Sequence, residues 1–122
     1  GYGTKRVTGN AAAGAEVVTK NDIPSYTYKA AEPVTGKDAF NRYIDENIIR
    51  PDTLTEGSRQ VVILGFTVRQ NGQKENIKVI RSPGKKFSDE AIRLIMQGPQ
   101  WKPAVENGII IEEEVRVRIV FR

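Results

Sequence analysis

The sequence predicts an α+β domain in which two helices cover a three-stranded antiparallel sheet, in the order α-β-β-α-β, after an extended arm. Two segments repeat apolar residues with a period near 3.6, which is typical of a helix that packs one face on a core. Three other segments alternate apolar and polar residues, which is typical of half-buried strands. At 122 residues, the chain is long enough to bury one hydrophobic core.

The first helix is predicted in the segment TGKDAFNRYIDENIIRP. Thr35 or Lys37–Asp38 would open this helix, and Arg50–Pro51 would close it because proline cannot continue a helix. Its apolar face should contact the sheet and consists of residues at spacing i, i+3, i+4 and i+8, namely Phe40, Tyr43, Ile44 and Ile48.

A hairpin is predicted in the next segment, GSRQVVILGFTVRQNGQKENIKVIRS. Asn71-Gly72 is a strong signal for a type I′ turn between two strands. Ile77 and Val79 should return to the core on the second strand. One face of the first strand is apolar at Val62, Leu64, Phe66 and Val68.

The second helix is predicted in KKFSDEAIRLIMQGP. Ser88 is its expected N-cap, with Asp89 and Glu90 in the positive first turn. Gly98-Pro99 would end it. The side chains expected to face the sheet are Phe87, Ala91, Leu94 and Ile95.

A stiff connector and a final strand complete the domain. The connector holds the only tryptophan of the chain, Trp101, between Pro99 and Pro103, which favour extended backbone. We therefore expect Trp101 to be a buried structural anchor that sets where the last strand begins. In that strand Val115, Val117, Ile119 and Phe121 should face the core, and Arg116, Arg118 and Arg122 should face outward.

Residues 1–36 are predicted to be a linker or extended arm, and residues 37–122 the folded domain. The arm is rich in glycine and alanine near its start and lacks sustained periodicity. Its ordering would cost roughly 1–2 kcal/mol per residue, so any ordered part must find contacts on the domain or on a neighbouring chain. The expected anchors are Val17, Val18, Tyr26 or Tyr28.

Composition argues against several classes of function. The chain has no cysteine and no histidine, so the commonest thiol nucleophile, general base and transition-metal ligands are missing, and we expect no enzyme, no cofactor and no metal site. A net charge of +4 with interspersed acids does not require a nucleic-acid partner, and we expect none. The acidic run Glu112–Glu114 is most simply a solvated turn or bulge. No stretch is long and apolar enough to span a membrane, so any anchor should lie outside these residues.

Five motifs follow one another along residues 37–122. They are the helix FNRYIDENI before RP, the strand VVILGFTVRQNG, the strand and helix IKVIRSPGKKFSDEAIRLI, the connector PQWKPAVENG and a last strand that ends in Phe. In this order they resemble the C-terminal domain of TonB-type energy transducers, and the connector is the most specific of them. Arg50 stands where the family usually has Tyr, and Lys74 stands where it is usually apolar. At the start of the arm, GYGTKRVTG is similar to a motif of SusC-type receptors and related Bacteroidetes membrane proteins.

The resemblance implies a function that composition and periodicity do not. It implies a periplasmic binding module of a membrane-anchored transducer that grasps the TonB-box segment of outer-membrane receptors by β-strand addition and transmits force for active transport. The implied partners are that receptor and, through a missing N-terminal part, the inner-membrane energising complex. The free edge of the last strand would bind the receptor, at Glu114, Val115, Arg116, Val117, Arg118, Ile119 and Val120.

An alternative of a different class stays open. The same fold can serve a structural or sensor domain of a larger membrane protein that uses it for self-association, as a homodimer, or for signalling. In that case the arm or a second copy would fill the edge of the last strand, so a strand already on that edge would favour this alternative.

Overall fold

The computed structural model describes residues 25–122 in full and the backbone of residues 2–6. The expected anchors Val17 and Val18 lie outside the described residues. The two helices are α1 (Lys37–Asn47) and α2 (Lys85–Gln97). The strands are β1 (Tyr2–Arg6), β2 (Tyr28–Lys29), β3 (Glu32–Pro33), β4 (Gln60–Val68), β5 (Lys74–Arg81), β6 (Trp101–Lys102), β7 (Ala104–Glu106), β8 (Ile109–Ile111) and β9 (Glu113–Phe121).

The main sheet has the strand order β1-β9-β4-β5, and every pairing in it is antiparallel. Its last three strands, with α1 and α2, form the predicted α-β-β-α-β arrangement, so the α+β fold class is confirmed. Two small sheets, β2-β7-β8 and β3-β6, join residues 28–33 to residues 101–111. The additional strand on the main sheet is β1, which the sequence pattern did not predict.

The core lies between one face of the main sheet and the two helices. Every inward position predicted on β4 and β9 is buried, as are Phe40 and Ile44 of α1 and Phe87, Ala91, Leu94 and Ile95 of α2. The rings of Phe87 and Phe121 meet edge to face at 5.1 Å, which joins the start of α2 to the end of β9. The agreement of the period-2 and period-3.6 patterns therefore locates the core correctly.

The second strand of the hairpin departs from the expectation. Ile77 packs against the core, but Val79 is 44% exposed. β5 is an edge strand, and its register against β4 shifts twice, between Ile63 and Leu64 and between Gly65 and Thr67. Asn76 has a positive φ of 55°, as expected at a bulge. Val79 lies opposite the buried Leu64 and so has the predicted orientation, but its place on an edge strand leaves it exposed.

The hairpin turn is not of type I′, which would need positive φ at both central residues. Here φ is positive at Gly72 (84°) but not at Asn71. The Gly72 amide donates to the Arg69 carbonyl at 2.8 Å, and the Arg69 amide donates to the Gln73 carbonyl at 2.9 Å. This is a type I turn followed by a left-handed glycine, and the Asn71 side chain supports it by accepting from the Gln73 amide at 2.9 Å.

Both helices begin near glycines. Gly36 precedes α1, which starts at Lys37 as one of the two predicted openings. Gly84 precedes α2, so Ser88 is not its N-cap and Asp89 and Glu90 lie beyond its first turn. Ser82 sets this earlier start, because its hydroxyl accepts from the Gly84 amide and donates to the Gly84 carbonyl.

Glu90 instead fastens the end of α1 to α2. Its carboxylate accepts from the Ile49 amide at 2.6 Å and from two guanidinium nitrogens of Arg93 at 2.6 and 2.7 Å. Arg93 also donates to the Asn47 carbonyl at 2.9 Å. Burial alone would raise the pKa of Glu90, but the hydrogen bonds from Arg93 and Ile49 outweigh it and hold the pKa below its ordinary value of 4.5.

We predict that this carboxylate makes stability fall at acid pH. Because the folded-state pKa of Glu90 is lowered, its contribution is complete above about pH 4.5 and is lost as pH falls through the lowered pKa. Urea unfolding at several pH values should therefore show a shallower acid decline for Glu90→Gln than for the parent. Asp89→Asn, a change at the neighbouring exposed carboxylate, is the control and should leave the slope unchanged. Parallel declines in Glu90→Gln and the parent would contradict this prediction.

Candidate partner-binding edge

β9 contains every residue predicted to bind a partner. It pairs with β4 along its whole length, from Gln60 opposite Phe121 to Val68 opposite Glu113. Its odd-numbered side chains are buried, whereas Arg116 and Arg118 are exposed on the outer face. One side of β9 is thus fully paired with β4, so only its other side could bind a partner strand.

That other side is partly covered. β1 lies antiparallel to β9, with Tyr2 opposite Val117 and Arg6 opposite Glu113. The expectation that this edge is unpaired is therefore wrong for residues 113–117, because the chain supplies its own strand there. In the part of the chain that the structure describes, no strand pairs with this side of residues 118–121.

A groove lies beside the open end of β9. Its volume is about 250 Å³, and it separates α1 from the last residues of the strand. The α1 side is formed by Phe40, Asn41, Ile44 and Asp45, and the β9 side by Arg118, Val120 and Arg122. The lining therefore includes apolar residues and residues of both charges, next to an uncovered stretch of backbone.

The acidic run before and within β9 is not a solvated turn, because its outer members are ion-paired and only partly exposed and its middle member is buried. Glu112 pairs with Arg69 at 3.0 Å, and Glu114 pairs with Lys78 at 3.2 Å across the outer face. Glu113 is fully buried, because it has the same parity as Val115 and so points inward. The signal in the sequence was the alternation of β9, because the inward positions 115, 117, 119 and 121 continue backward to residue 113.

Glu113 fastens the segment before α1 to the domain. Its carboxylate accepts one hydrogen bond from the Tyr28 hydroxyl and another, at 3.1 Å, from the Ala31 amide. Tyr26 also donates to Glu106 at 2.9 Å, and the Val34 amide donates to the Gln100 carbonyl at 2.8 Å. Tyr26 and Tyr28 are therefore anchors on the domain, as two of the four residues expected in that role.

Trp101 lies at the centre of the connector and is 3% exposed. Its ring meets Phe40 of α1 at 5.6 Å and Phe66 of β4 at 5.2 Å, both edge to face. Its backbone pairs with Pro33, and its carbonyl lies so close to Gly72 that a Cβ there would come within 2.6 Å of it. Trp101 thus joins a helix, the central strand, the hairpin turn and β3.

The contacts of Lys74 explain how a lysine fits at a position where the related domains usually have an apolar residue. Its ammonium group donates to the carbonyls of Ile95 at 2.7 Å and Pro99 at 3.2 Å, where α2 ends and the connector begins. Burial lowers the pKa of Lys74. The side chain thus satisfies carbonyls that a helix end leaves unpaired, while its stem occupies a position that is usually apolar.

The structure is a small α+β domain whose main sheet has edge strands, and such an edge is a surface that an extended segment can join. The chain matches the family described as Gram-negative bacterial TonB protein C-terminal over residues 55–122, more than half of its length, and it belongs to that family. Domains of this family are periplasmic parts of membrane-anchored transport proteins and act through protein interactions.

The remaining comparisons add nothing to this assignment. No curated protein and no solved structure matches the chain. Among the residues that the structure describes, neither helix has the length and apolar character needed to cross a membrane. Within the same residues, no three His, Cys, Asp or Glu side chains are grouped so that they could hold a metal ion.

Proposed function

We propose that this domain is the receptor-binding module of an energy transducer, and that it binds an extended segment of an outer-membrane receptor as a strand added to β9. The observations that support this most are the family to which the chain belongs and the open end of β9 at residues 118–121. The open end at residues 118–121 and its groove provide backbone groups and side-chain contacts for a segment that extends past the place of β1.

The geometry also suits the transmission of force. An added strand is held by main-chain hydrogen bonds, which give affinity with little demand on sequence. A force along the added strand acts on several of these hydrogen bonds at the same time. β9 passes the load to β4 through nine residue pairs, and β4 carries buried core residues along most of its length.

Selective N-methylation of a TonB-box peptide tests this mode of binding without altering the domain. In an added strand, alternate amides point toward β9 and the others point to solvent. We expect methylation of the amides of one parity to weaken binding at least about tenfold, since each lost main-chain bond contributes roughly 0.5–1.5 kcal/mol. Methylation of the other parity should change the dissociation constant little and is the matched control. Calorimetric titration measures both.

Two results would contradict the proposal. One is equal loss of affinity for both parities, which would indicate a peptide bound through side chains or in another conformation. The other is a set of amide chemical-shift changes that falls on the outer edge of β5, which is also an edge strand, and spares β9.

The pairing of β1 with β9 favours the second candidate, a structural or sensor domain that uses the same edge for self-association or signalling. A strand contributed by another copy would form a homodimer, so sedimentation at increasing protein concentration separates the two candidates. A homodimer that excludes the TonB-box peptide at all concentrations would favour the second. The division into residues 1–36 and 37–122, the inner-membrane partner and the SusC-type resemblance of residues 1–9 stay predictions.

A further inference from the structure

We propose that β1 is a tethered competitor for the receptor-binding edge, and that the groove beside residues 118–121 is where a receptor segment first docks before it displaces β1. This inference rests on the proposed function. It identifies the partner as an extended segment of about nine residues, long enough to pair with all of β9, in place of the five residues of β1.

The argument starts from the difference in length between the two strands. β1 covers residues 113–117 of the nine-residue β9, which leaves residues 118–121 without a partner on that side in the described chain. A strand that begins pairing at the uncovered end can extend along β9 one residue at a time. Each new pair then replaces one made by β1, so no step requires the whole edge to be uncovered first.

Tethering makes β1 an effective competitor although it is short. β1 and β9 belong to one chain, so β1 competes as an intramolecular strand whose effective concentration does not depend on the protein concentration. An edge covered in about 90% of molecules would weaken the apparent affinity of a competing segment about tenfold. A longer receptor segment regains affinity through the pairs at residues 118–121, which β1 does not make.

The groove gives the uncovered end contacts of its own. Ile44 and Val120 present apolar surface there, and Asp45 and Arg118 present opposite charges. Arg118 is exposed on the outer face beside this end of β9 and has no ion pair in the described part of the chain, so its guanidinium is available there to an acidic side chain of an incoming segment. A segment can therefore bind this end before any pair of β1 is broken.

The first test replaces residues 2–6 with Gly-Ser-Gly-Ser-Gly. Hydrogen exchange of the free protein should become about tenfold or more faster at those amides of residues 113–117 that point to β1, and it should stay unchanged on the β4 side. The dissociation constant of a nine-residue TonB-box peptide should fall about tenfold. Lys5→Gln with Arg6→Gln, which removes the same two positive charges but keeps the strand, is the matched control and should show neither effect.

The two readouts distinguish the possible failures. Unchanged exchange at residues 113–117 would overturn the competitor proposal, while the N-methylation result would still decide the proposed function. Faster exchange without peptide binding to either protein would overturn both. An exchange rate in the parent that slows with protein concentration would also overturn the competitor proposal, because the covering strand would then come from a second copy.

The second test concerns the groove. Asn41→Trp should narrow it and slow peptide association several-fold in the parent, whereas Arg42→Trp, an exposed position of α1 outside the groove lining, should not. With residues 2–6 replaced, the effect of Asn41→Trp should shrink, because the segment can then begin pairing anywhere on β9. Equal association rates for the two tryptophan variants would overturn the docking role of the groove.

Discussion

Trp101→Ala is expected to lower the free energy of unfolding by about 3–5 kcal/mol, a loss typical of large aromatic side chains removed from a core. The ring is 3% exposed and contacts Phe40 and Phe66, so its removal leaves a cavity where α1, β4 and the connector meet. Pro99 and Pro103 stiffen the backbone on both sides, which limits how far the connector can collapse into that cavity. Urea unfolding followed by circular dichroism measures the loss.

Two controls make this result specific. Trp101→Phe keeps an aromatic ring and should lose clearly less stability than Trp101→Ala. Met96→Ala alters a side chain that is 66% exposed on α2 and should stay within about 0.5 kcal/mol of the parent. The folded fraction of Trp101→Ala should still bind the TonB-box peptide. Lost binding with unchanged stability would show that Trp101 contacts the partner and is not a structural anchor.

Glu113→Ala is expected to release the segment before α1 from the domain. The change removes the carboxylate that accepts from the Tyr28 hydroxyl and the Ala31 amide, and Ala31 is fully buried, where a donor without a partner costs about 1–3 kcal/mol. Hydrogen exchange at Ala31 should therefore accelerate by a factor of about 5 to 150. Exchange in the middle of β4 should change much less, because its amides are held by pairing with β9 and β5.

Glu112→Ala is the matched control for Glu113→Ala. It removes the neighbouring carboxylate, which is partly exposed and pairs with Arg69, so exchange at Ala31 should stay close to that of the parent. Equal acceleration in the two variants would indicate a general effect of charge on this surface. No acceleration in Glu113→Ala would show that the pairing of β2 and β3 suffices to hold the segment.

The elements with long apolar repeats could be predicted from the sequence. α1, α2, β4 and β9 each bury one clear face, and hydrophobic burial decides such faces regardless of local detail. The turn and the start of α2 were harder to predict. The turn depends on a positive φ at Gly72, and the start of α2 depends on hydrogen bonds between Ser82 and Gly84, which several sequences could satisfy. Val79 was expected in the core but is exposed because β5 is an edge strand, and alternation alone does not report which strand lies at the edge of a sheet.

The candidate site was predictable only in part. The residues that form β9 could be predicted from the alternation, but the strand that pairs with its second side could not. β1 has five residues with no repeat long enough to register as a strand, and its pairing with β9 spans most of the chain. The burial of Glu113 was missed for a different reason. A run of three acidic residues is typical of an exposed segment, and only the alternation of the strand indicates that the middle one points inward.

Disulfide trapping tests the central claim of strand addition at β9 most directly, and it is clean here because the chain has no cysteine. The domain variants have a single cysteine at Arg118 or Val120 on β9, or at Lys78 on β5 as a control. Each is mixed with a series of TonB-box peptides in which one cysteine is placed at successive positions. A disulfide needs Cβ atoms about 3.5–4.5 Å apart, so only side chains directly opposite each other should react quickly. We predict that the reactive peptide position moves by two residues, in the antiparallel sense, between Arg118 and Val120, with no preferred position at Lys78. A preferred position at Lys78, or the absence of any preferred position on β9, would contradict the account.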